Sequence, residues 1–118
     1  MKDYKTLIVW QKSHINAVMI YNLTKKFPSE ERFGITSQIR RAAVSVPTNI
    51  AEGCGKFTQR DFANYLQTSF GSAQELEYLT FLSFELEFLK QEDYDKTNKL
   101  INEVKAMLIS LIGKVRTK

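Results

Sequence analysis

One stretch limits the possible folds more than any other: Gln38-Ile-Arg-Arg-Ala-Ala-Val-Ser-Val-Pro-Thr-Asn-Ile-Ala-Glu-Gly-Cys-Gly55. Ile39, Ala42, Ala43, Val46 and Ile50 recur at spacings of three and four, which is the apolar stripe of a helix. Gln38, Arg41, Ser45, Asn49 and Glu52 recur in the same way on another side. The second stripe consists of groups that need partners: two amides, a guanidinium, a hydroxyl and a carboxylate. Pro47 falls inside the pattern. It removes one helix hydrogen bond and crowds the carbonyl of Ala43, so the reading is a kink rather than a stop. Gly53 and Gly55 are expected to end the helix.

The flanking segments repeat the helical period. Thr6 is read as the cap of a first helix of roughly twenty residues ending near Lys26. Leu7, Trp10, His14, Ala17, Val18 and Tyr21 share one face of it, and Ile8, Ile15, Met19 and Leu23 a neighbouring one. So wide an apolar arc predicts more than one packing neighbour. Phe27-Pro28 breaks the pattern, Ser29 is expected to cap a short turn, and Gly34 closes that turn before the central helix begins near Thr36 or Ser37. Thr58, with Asp61 three residues on, marks a third helix. Its core side reads Phe62, Tyr65/Leu66, Ser69, Ala73, Leu76, Thr80 and Ser83, and Gly71-Ser72-Ala73 is expected to admit another backbone. Phe70, Glu77, Phe81, Phe84 and Phe88 form a second stripe, suited to the core first and to a subunit interface second. A fourth helix starts at Glu92-Asp93. Tyr94, Thr97, Ile101, Val104, Leu108, Leu111 and Val115 make a coiled-coil-like seam along it.

Four amphipathic helices with short connections predict an all-α, antiparallel up-down-up-down four-helix bundle, formed as a single domain over residues 1–118, with its second helix kinked at Pro47. The single cysteine, Cys54, excludes an internal disulfide and any multi-cysteine metal site. The N-terminus does not read as a signal peptide, and no apolar run reaches eighteen residues, so a soluble cytoplasmic protein with no membrane partner is expected.

Charge is unevenly distributed. Residues 1–60 hold ten Lys/Arg against four Asp/Glu, residues 61–95 one against eight, and residues 96–118 six against one. Such blocks can neutralise one another inside a bundle, or make a two-sided surface that meets an anionic partner. Catalysis is not expected. His14 and Cys54 are each alone, and His14 is read as packed or half-buried. Glu75 and Glu77 point about 200° apart on a helix and cannot share a metal from the same turn. No Glu-x-x-His pair is present, and Gly53-Cys54-Gly55-Lys56 lacks the spacing and preceding strand of a phosphate loop. No cofactor, metal or small-molecule substrate is therefore expected.

The central motifs carry a specific likeness. Ser37-Gln38-Ile39-Arg40-Arg41-Ala42-Ala43, Ser45-Val46-Pro47 and Asn49-Ile50-Ala51-Glu52-Gly53, followed by Gly71-Ser72 and Glu75-Leu76-Glu77, resemble the four-helix-bundle proteins of the 23S rRNA intervening-sequence family. Trp10-Gln11-Lys12 and Glu31-Arg32-Phe33-Gly34 extend the likeness over nearly the whole chain. The resemblance implies an antiparallel bundle and a ring-like homo-oligomer, with a pentamer favoured. A similar bundle serves as the basic, nucleic-acid-binding accessory protein of diversity-generating retroelements. This chain departs from it in being only modestly basic, with an acidic third helix.

Two sets of side chains are candidates for function. Gln38, Arg41, Ser45, Asn49 and Glu52, with Glu75 and Glu77, are read as a polar network that sets helix register. In it Arg41 pairs with Glu75 or Glu77, since a buried guanidinium needs a carboxylate. The alternative is that the stripe lines a channel or ligand site in an oligomer. Lys25, Lys26, Arg40, Lys56 and Arg60 are the candidates for binding RNA or other nucleic acid by neutralising phosphates. A protein-interaction scaffold, in which the homo-oligomer is the working unit without nucleic acid, is the competing reading.

Overall fold

A computed structural model describes residues 2–117. Four helices carry the fold: α1 Ile8–Thr24, α2 Ile35–Cys54, α3 Gln59–Glu85 and α4 Gln91–Arg116. Consecutive helices pack side by side, and α1 also meets α4, so the four close into a bundle 46 × 24 × 20 Å in extent. All the described secondary structure is helical, as the periodicity predicts.

The core is made by the apolar stripes of α2, α3 and α4 much as read. Ile39, Ala42, Ala43, Val46 and Ile50 of α2 are buried, and so are Phe62, Leu66, Ser69, Ala73, Leu76, Thr80 and Ser83 of α3. On α4, Thr97, Ile101, Val104, Leu108 and Val115 are buried, with Tyr94 and Leu111 half-buried. Two apolar clusters divide this core. One gathers Val9, Ile50, Cys54, Leu66 and Leu108, and the other Ile20, Phe27, Ile39, Leu76 and Ile101. Pro47 lies within α2 without ending it. Ser69 Oγ donates to the Val46 carbonyl beside it at 2.8 Å, so α3 supplies a polar contact next to the proline.

Helix α1 departs from the sequence reading. Its buried residues are Val9, Ser13, Asn16, Ala17, Ile20 and Thr24. Ile8, Ile15, Val18 and Tyr21 are exposed. The apolar arc runs almost around this helix, so hydrophobicity alone does not select a face. Ser13 and Thr24 can turn inward because they are small and bond to their own backbone, Ser13 Oγ donating to the Trp10 carbonyl and Thr24 Oγ1 to that of Ile20, whereas buried Asn16 keeps its Nδ2 without a partner among the described residues. His14 is exposed and stacks on Trp10 with ring centroids 5.1 Å apart, rather than being packed inside.

The helix ends also differ in detail. Thr6 does not cap α1. It belongs to a 3-10 turn, Tyr4–Thr6, whose own cap is the Asp3 carboxylate, which accepts from the Lys5 N–H. Ser29 opens a second 3-10 turn, Ser29–Glu31, as its first residue and not as its cap. α2 begins one residue earlier than expected, at Ile35, and the Glu31 carboxylate reaches the Ile35 N–H. Gly53 is buried inside α2 and does not end it. A Cβ placed there would lie 2.9 Å from Tyr65 Cβ, so glycine lets α2 and α3 touch. Gly71, expected to serve such an approach, faces open space.

Thr58 caps α3 as read, accepting from the Asp61 N–H at 3.1 Å. Thr58→Ala is expected to cost about 1 kcal/mol in chemical denaturation. The phenylalanine stripe of α3 is largely used within the chain. Phe84 stacks on Tyr94 at 4.6 Å, and Phe88 packs against Phe27 at 5.4 Å. Phe81 stays 45% exposed.

Candidate nucleic-acid interface

The polar stripe of α2 divides. Ser45 Oγ meets Ser72 Oγ of α3 at 2.8 Å, and Asn49 Nδ2 donates to both the carbonyl and the hydroxyl of Ser45. Together with Ser69–Val46, these bonds join α2 to α3 at a fixed register. Gln38, Arg41 and Glu52 are exposed and stand outside that network. The expected pairing of Arg41 is overturned. Arg41 makes no ion pair among the described residues, Glu75 is exposed, and Glu77 turns to α4, where Lys105 Nζ donates to it at 2.9 Å. The reason is angular. Arg41 faces the side of α2 nearer α1, whereas Glu77 faces α4 on the far side of α3.

Ion pairing among the described residues uses Lys12 with Glu103, Lys96 with Glu92 and Lys105 with Glu77. The acidic α3 and basic α4 are thus partly complementary, but the basic first half of the chain keeps most of its charge unmatched. Lys12 donates a hydrogen bond to Glu103, and with its charge holds that carboxyl below the usual carboxylate range. A folded pKa below the unfolded one makes the bridge stabilising above the ordinary carboxylate pKa, and that contribution fades as pH falls through the folded value. Both side chains are well exposed to solvent, so the effect is small. Glu103→Gln is expected to shift the melting temperature slightly at neutral pH and not at all in strong acid, read from thermal melts across pH.

The unmatched cations gather at the two ends of α2, separated by about 30 Å at 1.5 Å per residue. Near its start, Arg40 Nε donates to Thr24 Oγ1 at 2.8 Å, and the guanidinium lies 4.8 Å from the Tyr21 ring centroid. Lys25 and Lys26 follow the end of α1 beside it. Arg32, Arg40 and Arg41 line a cleft of about 640 Å³ with Tyr21, Phe33 and Thr36. At the other end, Lys56 Nζ sits 4.9 Å from the Tyr65 ring centroid, and Arg60 shares a shallow depression with Arg116. The five predicted basic residues therefore form two groups and not one patch.

Sequence reasoning missed Arg32, Phe33, Phe57 and Arg116. Phe33 is 88% exposed and Phe57 92%. The sequence carried only a weak signal: Arg32-Phe33 and Lys56-Phe57 are basic–phenylalanine pairs in the breaks flanking α2, but so is Lys26-Phe27, whose ring is buried. A second, apolar cleft of about 730 Å³ adjoins the first between α1 and α2. Trp10, Val18, Tyr21, Val44 and Pro47 line it, with Glu52 and Lys25 also on its walls.

Cys54 is buried, and desolvation pushes its thiol up, only partly offset by the charge of Lys2. What the fold and these surfaces define is an all-α four-helix bundle with unmatched cations and exposed aromatic rings in its connections. Residues 5–110 match the family of 23S rRNA-intervening sequence proteins, and the chain belongs to that family. It is similar to a solved protein of unknown function from the S23 ribosomal protein family of Bacteroides thetaiotaomicron. The two are 34% identical with a TM-score of 0.83, over 89% of this chain and 98% of that one. No curated protein matches it.

Proposed function

We propose that this chain is a non-catalytic nucleic-acid-binding protein, with RNA the foremost ligand, and that it works as a homo-oligomer, a pentamer being favoured, in the cytoplasm. The observation that carries the reading is the cationic surface left over after internal pairing. Lys25, Lys26, Arg40, Lys56 and Arg60, with Arg32 and Arg41, have no carboxylate partner among the described residues, and two fully exposed phenylalanines stand beside them. Phosphate neutralisation with counterion release needs such charges, and an oligomer multiplies them. No helix among the described residues is long and apolar enough to cross a membrane.

The test is RNA retention across a salt series with Lys25→Glu/Lys26→Glu and Arg40→Glu/Lys56→Glu. Each pair is expected to lower the steepness of log affinity against log salt by about 2, while the oligomer persists by light scattering. Wild-type protein that retains no RNA at low salt would sink the reading. A scaffold without nucleic acid is the second reading. It is favoured by the apolar α1–α2 cleft and by the exposed Ile8 and Ile15 of α1. For that reading, the charge reversals leave an already absent RNA retention unchanged and disturb assembly instead.

A further inference from the structure

Phe33 is not drawn into the core. It is 88% exposed, and its recorded neighbour is the Arg32 guanidinium, 5.3 Å from the ring centroid. It stands at the mouth of the cleft lined by Arg32, Arg40, Arg41 and Thr36. Thr36 lines the cleft and is 7% exposed; its Oγ1 is buried and, like Thr97 Oγ1 and Asn16 Nδ2, has no hydrogen-bond partner among the described residues. A ligand that offers this hydroxyl an acceptor supplies the partner that it lacks in the free protein. Arg40 is held by Nε to Thr24 and by the Tyr21 ring, and its two terminal nitrogens make no bond among the described residues. No carboxylate lines the cleft among the described residues, and that of neighbouring Glu31 accepts from the Ile35 N–H.

We infer that this cleft takes one unpaired nucleotide of a single-stranded nucleic acid, a reading that rests on the nucleic-acid binding proposed above. The base stacks on Phe33. Its phosphate sits between the terminal nitrogens of Arg40 and the Arg41 guanidinium, and Thr36 turns about χ1 to donate to it. A duplex offers its phosphates but no free base face in its interior, so the site discriminates by strandedness rather than by sequence.

Fluorescence anisotropy with the full chain, a short single-stranded RNA and its blunt duplex tests this. Phe33→Ala is expected to weaken single-strand binding about tenfold and leave duplex binding unchanged. Its single-strand salt dependence stays that of the wild type, because no charge is removed. Phe33→Trp retains the affinity. Arg41→Gln lowers the salt slope by about 1 for the single strand. Phe33 is 88% exposed and Arg41 is exposed, so these variants keep the wild-type circular dichroism and melting temperature. Unchanged single-strand affinity in Phe33→Ala, or equal losses for both RNAs, overturns the stacking site while the broader binding proposal stands on its charge reversals. A wild-type protein that binds neither RNA overturns both.

Discussion

Truncating Leu108 to alanine is expected to lower the free energy of unfolding by about 3 kcal/mol. Leu108 is fully buried at the centre of the α4 seam, in the cluster that also holds Val9, Ile50 and Leu66. The loss combines transfer of the removed carbons with a cavity that three neighbouring helices can collapse only in part. Ile109, one residue on, is 59% exposed, and Ile109→Ala is expected to change stability by less than about 0.5 kcal/mol. Urea denaturation of the two variants checks the pair. Similar losses at both positions would mean that Ile109 is covered by a second chain in solution.

Gly53→Val is expected to cost about 3 kcal/mol, the upper end for overpacking. The obstacle is rigid: a Cβ at Gly53 meets Tyr65 Cβ at 2.9 Å and Phe62 Cδ1 at 3.1 Å, and Tyr65 Cβ cannot move without the α3 backbone. Relief requires α2 and α3 to separate, which would also strain the Ser45–Ser72 and Ser69–Val46 bonds. Gly71→Ala should do the opposite and stabilise by about 0.5–1 kcal/mol, since that glycine lies mid-helix with nothing within 4 Å. Calorimetry of the two variants separates them by sign. Destabilisation by Gly71→Ala would point to another chain packed on α3.

Helix existence and the cores of α2, α3 and α4 were legible because these stripes are narrow: where apolar residues fill one arc and polar residues the rest, burial has a single solution. The Thr58 cap was legible for a similar reason, since the geometry that satisfies the Asp61 N–H is local. Helix α1 was not. Its apolar residues are spread around it, and Ser13 and Thr24 entered the core because small side chains allow close packing. Gly55 ends α2 as read, but Gly53 and Gly71 were misassigned because a sequence does not state which face of a helix a neighbour touches.

The candidate site divides along the same line. The sequence by itself determined that the first half of the chain is rich in cations, that Phe27, Phe33 and Phe57 fall in the breaks flanking α2, and that one cysteine and one histidine stand alone. These are properties of composition and local order. Only the tertiary structure decided that Arg41 faces solvent and not Glu77, that the cations form two groups at opposite ends of α2, and that Arg32, Phe33, Thr36, Arg40 and Arg41 line one cleft. The physical reason is that pairing and burial depend on the rotation of each helix about its own axis. That rotation is set by which side chains fit between neighbours across the bundle, through contacts such as Gly53 against Tyr65.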